Sequence, residues 1–342
     1  MTFWKSWPTS HPTKTAYEMS ASLVGSEMCI RDSACLVREL DFLTELGTLT
    51  LSRLLAMAGA EEAGQFLTPW EASRRDFAAA YETRAAQAGQ WGYGMFAKYH
   101  VFTVSDGTLV PVRCPDNQTL AQLPGYERER EKVISNTRAL LSGAGAANVL
   151  LYGDAGTGKS STVKAIANAF APDGLRLVEV KKHQLYQIPA LMDELSRNPL
   201  KFILFIDDLS FTANDDNFAA LKAILEGSVS GSPRNIAVYA TSNRRHLVKE
   251  TFADRDGDEL YAADTRQEMM SLAARFGLTV TFLRPEKQRF REILLALAPQ
   301  YGVDCPEEQL VEQAEAFALR AGGRSPRVAR QFLQLYGSGM TV

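Results

Sequence analysis

The stretch Gly153-Asp154-Ala155-Gly156-Thr157-Gly158-Lys159-Ser160 fits the pattern G-x-x-x-x-G-K-[ST]. Ahead of it, Asn148–Tyr152 is a short apolar run that reads as a buried strand, and behind it Ser161–Phe170 reads as a helix. Glycines in such a turn let backbone N–H groups point inward around phosphate oxygens, and the following helix N-terminus adds the positive end of its dipole. Lys159 is then placed to reach β- and γ-phosphates, and the Ser160 hydroxyl to take one position on Mg2+. A turn of this kind between a strand and a helix implies a bound nucleotide.

Downstream, short apolar runs alternate with helical patterns: Leu175–Val180, Phe202–Ile206, Asn235–Asn243 and Leu278–Leu283 read as strands. That alternation predicts an α/β fold, a parallel sheet flanked by helices. From Pro285 to Leu335 the pattern is wholly helical and predicts a small C-terminal lid, while Ala34 to about Ala88 is helical and alanine-rich. Val101–Val110 reads as a hairpin turning at Asp106-Gly107. The expected division is a leader over 1–33, a helical N-terminal region with the hairpin over 34–118, a nucleotide-binding core over 119–284 and the lid over 285–342.

The run Phe202–Ile206 ends in Asp207-Asp208. In an open α/β sheet ligands gather beyond the carboxyl ends of the strands, so these acids emerge on the same side as the loop. Asp207 is expected to hold Mg2+ with Ser160, directly or through water, and Asp208 to polarise the attacking water. An aspartate is one methylene shorter than the glutamate common at this place. Asn243, at the end of the next run, can set its amide beside the γ-phosphate. Arg244, Arg245 and His246 follow at once and read equally as a solvated cluster or as a phosphate, subunit or nucleic-acid contact.

The chain has 342 residues, 46% of them hydrophobic, enough for a full core and about two domains. Lys plus Arg number 37 against 40 Asp plus Glu, a net charge of −3, which excludes a uniformly basic nucleic-acid-coating surface. Cys29, Cys35, Cys114 and Cys305 lack metal-ligand spacing and read as reduced thiols of a cytoplasmic protein. No apolar run is long enough to span a bilayer, so no membrane partner is expected. Leu23–Ser33 back-translates into a common transposon-based sequencing adapter, and Lys14–Met19 into the flow-cell end of the same adapter. Residues 1–33 are therefore expected to be non-native and to pack against nothing.

The strand order, the polar Asn243 and the helical lid resemble the AAA+ ATPases. More narrowly, the chain is similar to the bacterial family known as domain of unknown function 815, through five blocks in order. These are Gly153–Ser160 with Ser161, Lys201–Phe211 (KFILFIDDLSF), Leu221–Gly227 (LKAILEG), Tyr239–Leu247 (YATSNRRHL) and Ser271–Leu278 (SLAARFGL). The resemblance covers roughly Leu120 to Leu335. It implies ATP as the nucleotide, held by Gly153, Asp154, Ala155, Gly156, Thr157, Gly158, Lys159, Ser160 and Ser161. It also implies that Arg275 is a finger inserted into a neighbouring subunit's site and that Arg327 senses the γ-phosphate in cis, with Arg324 and Arg330 as alternatives. Leu123-Pro124-Gly125-Tyr126 implies an adenine pocket or plain packing. The chain departs from the family pattern at Ala274 and Thr212, where acids are usual.

Two functions follow as expectations. One is an Mg2+-dependent ATPase, an oligomer of this chain, remodelling a macromolecular client that is protein or DNA. The other is an ATP-dependent assembly switch or adaptor with negligible turnover. The presence of Asp207, Asp208, Asn243 and Arg275 favours the first, since a switch needs only the loop.

Overall fold

Residues 27–209, 220–222, 224–225, 233–243 and 274–338 are described by the computed structural model, with side chains from residue 35 onward. Most of the expected leader, together with Phe211, Thr212, Gly227, Arg244, Arg245, His246, Leu247 and Ser271, lies outside the described residues. The chain divides into two units, Met1–Ala88 and Gly89–Val342.

The first unit carries helices α1 (Glu27–Gly47), α2 (Leu51–Ala58) and α3 (Phe77–Ala86). Helix α1 begins inside the segment read as non-native. Thr50 starts α2 by accepting from the Arg53 N–H, and Gly59 ends it at φ 62. Asp76 caps α3 by accepting from the Ala79 N–H at 2.8 Å. The non-helical segment ahead of α3 is fastened by Trp70 Nε1 donating to the Leu49 carbonyl at 2.9 Å and by the Ser73 N–H donating to the Gly47 carbonyl at 3.0 Å.

In the second unit the order is β1 (Val101–Ser105), β2 (Thr108–Pro111), α4 (Glu127–Ser142), β3 (Val149–Gly153), α5 (Lys159–Phe170), β4 (Leu175–Glu179), α6 (Ile188–Ser196), β5 (Lys201–Ile206), β6 (Ile236–Ser242), β7 (Leu278–Phe282), α7 (Lys287–Leu297), α8 (Glu307–Arg320) and α9 (Pro326–Gly337). The strands form a seven-stranded sheet in the order β2-β1-β4-β5-β6-β3-β7. Every neighbouring pair is parallel except β1 with β2. The sequence grouped the hairpin with the N-terminal region ending at 118, whereas β1 pairs with β4, Phe102 opposite Val178. The hairpin is thus the edge of the core sheet, because parallel pairing with β4 satisfies backbone groups that a free hairpin would leave to water. Its turn has Asp106 at φ 49 and Gly107 at φ 75, the double positive φ of a two-residue hairpin.

Both faces of the sheet are covered, which is why its strands read as continuous apolar runs. Along β5, Ile203 and Phe205 enter one core with α4, α5 and the lid. Phe202, Leu204 and Ile206 enter the other, with α6 and the buried residues around Leu221. The alternation follows the two-residue strand period. Helices α7 to α9 contribute Phe290, Leu294, Leu310, Phe332 and Leu333 to the first of these cores, so they pack on the same face of the sheet as α4 and α5. Two polar groups buried in the unit are satisfied: Tyr239 Oη meets Thr137 Oγ1 at 2.9 Å, and the Arg176 guanidinium donates to the Phe96 and Ala171 carbonyls.

Candidate functional site

The loop between β3 and α5 is held from both sides. At Gly153, φ is 131 and a Cβ would stand 2.1 Å from the Phe282 carbonyl oxygen, so β3 and β7 come together only with glycine there. The Asp154 N–H donates to that same carbonyl at 3.0 Å, and the Asp154 carboxylate accepts from the Arg284 N–H at 2.7 Å. At Gly156, φ is 78 and a Cβ would meet Ser325 Oγ at 2.9 Å and Arg327 Cβ at 3.2 Å. The Arg327 N–H donates to the Gly156 carbonyl at 3.2 Å. The first turn of α9 therefore rests on the glycine-rich loop. Ser325 caps that helix by accepting from the Val328 N–H at 3.2 Å, with Pro326 in its first turn.

Lys159 is buried, and its ammonium donates to the Gly153 carbonyl at 3.0 Å, the Asp154 carbonyl at 2.7 Å and Asn243 Oδ1 at 2.9 Å. Burial pushes it down to about 8; Asp154, Asp208 and Asp207 pull the other way, and Arg327 adds to the fall. Ser160 Oγ donates to Asp207 Oδ1 at 2.6 Å, so the two residues expected to share a metal are adjacent. Both are hard oxygen donors. Among the described residues no group of three or more His, Cys, Asp or Glu could hold a metal ion. One hydroxyl and one carboxylate suit Mg2+, which takes few protein ligands and completes its octahedron with phosphate oxygens and water.

Asp208 sits at φ 52, an uncommon conformation for a non-glycine residue. Its N–H donates to Thr241 Oγ1 at 2.9 Å, and its Oδ1 accepts from Asn243 Nδ2 at 2.7 Å. Thr241 Oγ1 in turn donates to Asp207. Sequence reasoning missed Thr241; the signal was its place two residues before Asn243, facing the same side of the strand.

Of the lid arginines, Arg324 is bound to Glu315 at 2.8 Å, and Arg330 donates to Gln118 Oε1 at 3.2 Å and to the Gln122 carbonyl at 3.0 Å. Arg327 and Arg330 both line the cavity; among the described residues the Arg327 guanidinium makes no hydrogen bond. Arg275 stands elsewhere. It precedes β7, whose first residue donates to the Asn148 carbonyl ahead of β3. The loop leaves the other end of β3, about 16 Å away at the rise of a strand. Arg275 does not line the cavity of its own chain.

A cavity of about 520 Å³ is lined by Ala155 to Ser161 with Asp207, Asp208, Thr241 and Asn243, and by Leu123, Pro124, Arg130, Leu297, Tyr301, Pro326, Arg327, Arg330, Gln331 and Gln334. Sequence reasoning left Leu123–Tyr126 between pocket and packing, and the structure divides them. Leu123 and Pro124 line the cavity. Tyr126 is 2% exposed, donates its hydroxyl to the Leu283 carbonyl and packs its ring 5.3 Å from that of Phe282.

A family model described as a protein of unknown function, DUF815, matches residues 96–340. No curated protein matches the chain. Among solved structures, the RuvB Holliday junction branch migration motor of Thermotoga maritima aligns over 64% of this chain and 72% of its own, at 15% identity and a TM-score of 0.38. A point mutant of the same RuvB aligns over 65% and 67%, at 18% identity and a TM-score of 0.42.

Proposed function

This chain belongs to the DUF815 family, and on that footing we propose that it is an Mg2+-dependent ATPase of the AAA+ type. Its ATP cycle drives work on a macromolecular partner, and it acts as an oligomer in the cytoplasm. The observation that carries the reading is the amide of Asn243, which joins the loop cation Lys159 to the strand-end acid Asp208 inside one cavity. A nucleotide site needs the cation and the loop; hydrolysis needs an acid and a polar group near the γ-phosphate as well. All of them converge here.

In this reading the loop N–H groups and Lys159 hold the phosphates, Ser160 and Asp207 hold Mg2+, Asp208 polarises water and Arg327 senses the γ-phosphate from the lid. Bound Mg2+ supplies charge for the phosphoryl oxygens. The lid contact at Gly156 ties the position of α9 to the loop, so occupancy and lid posture are mechanically joined. Arg275, standing at the far end of β7, suits a neighbouring subunit's site and cannot reach its own.

Paired variants test the proposal. Lys159→Ala abolishes tight binding of Mg2+·ATP in calorimetry, while Asp208→Asn binds it and releases no phosphate. A parent protein that binds ATP but shows no turnover at any concentration leaves only the assembly-switch reading.

A further inference from the structure

Arg130, on the first turn of α4, has no role in the proposed ATPase chemistry. It is 8% exposed and lines the cavity. Among the described residues its guanidinium makes one hydrogen bond, to Glu127 at 3.4 Å, and that carboxylate is 70% exposed. Such a long, solvent-bathed pair offsets little of the cost of desolvating a cation. A guanidinium carries five N–H donors in a rigid fork and accepts nothing. Most of that fork therefore remains available to whatever fills the cavity.

Arg130 belongs to a different element from the loop: it lies on α4, and the chain just ahead of that helix brings Leu123 and Pro124 to the same cavity. Leu123 and Pro124, just ahead of α4, and Leu297 and Tyr301, at the end of α7 and just after it, give the cavity apolar walls. Arg330 also lines the cavity but already donates to Gln118 Oε1 and the Gln122 carbonyl. A flat ring between apolar walls with a guanidinium fork at its edge is the chemistry of nucleobase recognition.

Resting on the ATPase reading, we infer that Arg130 contacts the nucleobase, donating to an acceptor atom on the purine edge, so that the base end of this site is read by a side-chain cation. Such a contact is charge-assisted and desolvated, and its removal leaves a buried acceptor on the base unpaired.

The test compares binding of Mg2+·ATP with that of Mg2+·tripolyphosphate, which has the phosphates and no base, to the full chain by calorimetry. In Arg130→Met, ATP binding is expected to weaken by about tenfold to a hundredfold, the span of one charge-assisted hydrogen bond. Tripolyphosphate binding should change less than about twofold. Equal weakening of both ligands would overturn the inference, since Arg130 would then act on phosphates or on the fold; so would unchanged ATP binding. Arg130→Lys keeps the charge and one donor, and is expected to fall between parent and Arg130→Met; it carries the test if the methionine variant does not fold. If the parent binds neither ligand, the nucleotide-site reading itself fails, an outcome distinct from the loss of base recognition alone.

Discussion

Asn243 Nδ2 donates to Asp208 Oδ1 at 2.7 Å, across the gap between the ends of two neighbouring strands, while the other end of the same amide accepts from Lys159. The acid expected to polarise water is thus not a free carboxylate. It is held at φ 52 by its own backbone contact to Thr241 and by an amide that also senses the loop cation. On the proposed function, a phosphate arriving at Lys159 would compete with Asn243 for the ammonium, and a move of Asn243 would be felt at Asp208.

Replacing this amide tests the coupling. Asn243→Ala is expected to lower phosphate release about tenfold to a hundredfold, in the range of a lost positioning group. ATP affinity should change by less than about threefold, because the loop and Lys159 remain. Steady-state turnover and equilibrium binding on the same preparation give both numbers.

The depressed Lys159 ammonium gives a pH signature. Its pKa in the folded protein is about 8, below the ordinary 10.5. The unfolded chain therefore holds more protons between those values, and this group makes stability rise with pH across that window. Phosphates demand the charged form, so ATP binding above about pH 8 should take up a proton and weaken as pH rises, with no such uptake from this group well below pH 8. Calorimetry in buffers of different ionisation enthalpy reads the uptake directly, and Lys159→Ala should abolish it with the binding.

Gly153→Ala probes the seam between β3 and β7. Its Cβ would stand 2.1 Å from a backbone oxygen that cannot rotate away, at a φ of 131. A loss of about 2 kcal/mol or more is expected from that strain, read from the midpoint of denaturant unfolding. Gly158→Ala is the contrast, since its Cβ would meet open space and only its φ of 93 opposes it.

Arg275 decides between a lone ATPase and an assembly. If it serves a neighbour, Arg275→Ala should bind ATP normally and hydrolyse it at least about tenfold more slowly, a barrier increase of about 1.4 kcal/mol. Parent activity per chain should rise with protein concentration. Mixing Arg275→Ala with Lys159→Ala should restore part of the activity, one variant offering a pocket and the other a finger. Turnover independent of concentration, with no rescue on mixing, sinks the oligomeric reading.

The strand and the helix on either side of the glycine-rich loop were legible in the sequence because the signal is contiguous: the glycines, the lysine and the serine are neighbours in the chain and their conformations are local. The sheet strands were legible too, since burial on both faces writes itself as unbroken apolar runs such as Phe202–Ile206. Asp207, Asp208 and Asn243 could be named because strand ends in a parallel sheet share one edge. What the sequence could not reveal depended on partners far along the chain. The hairpin joined the core sheet through β4, and Tyr126 was drawn into packing by Leu283 and Phe282. Thr241 and Arg130 acquired their positions in the same way, from neighbouring strands and helices that only the packed sheet and lid bring together. Local conformation follows from a residue and its neighbours, but which polar groups meet is settled by burial of the whole core, and no short window of sequence contains that information.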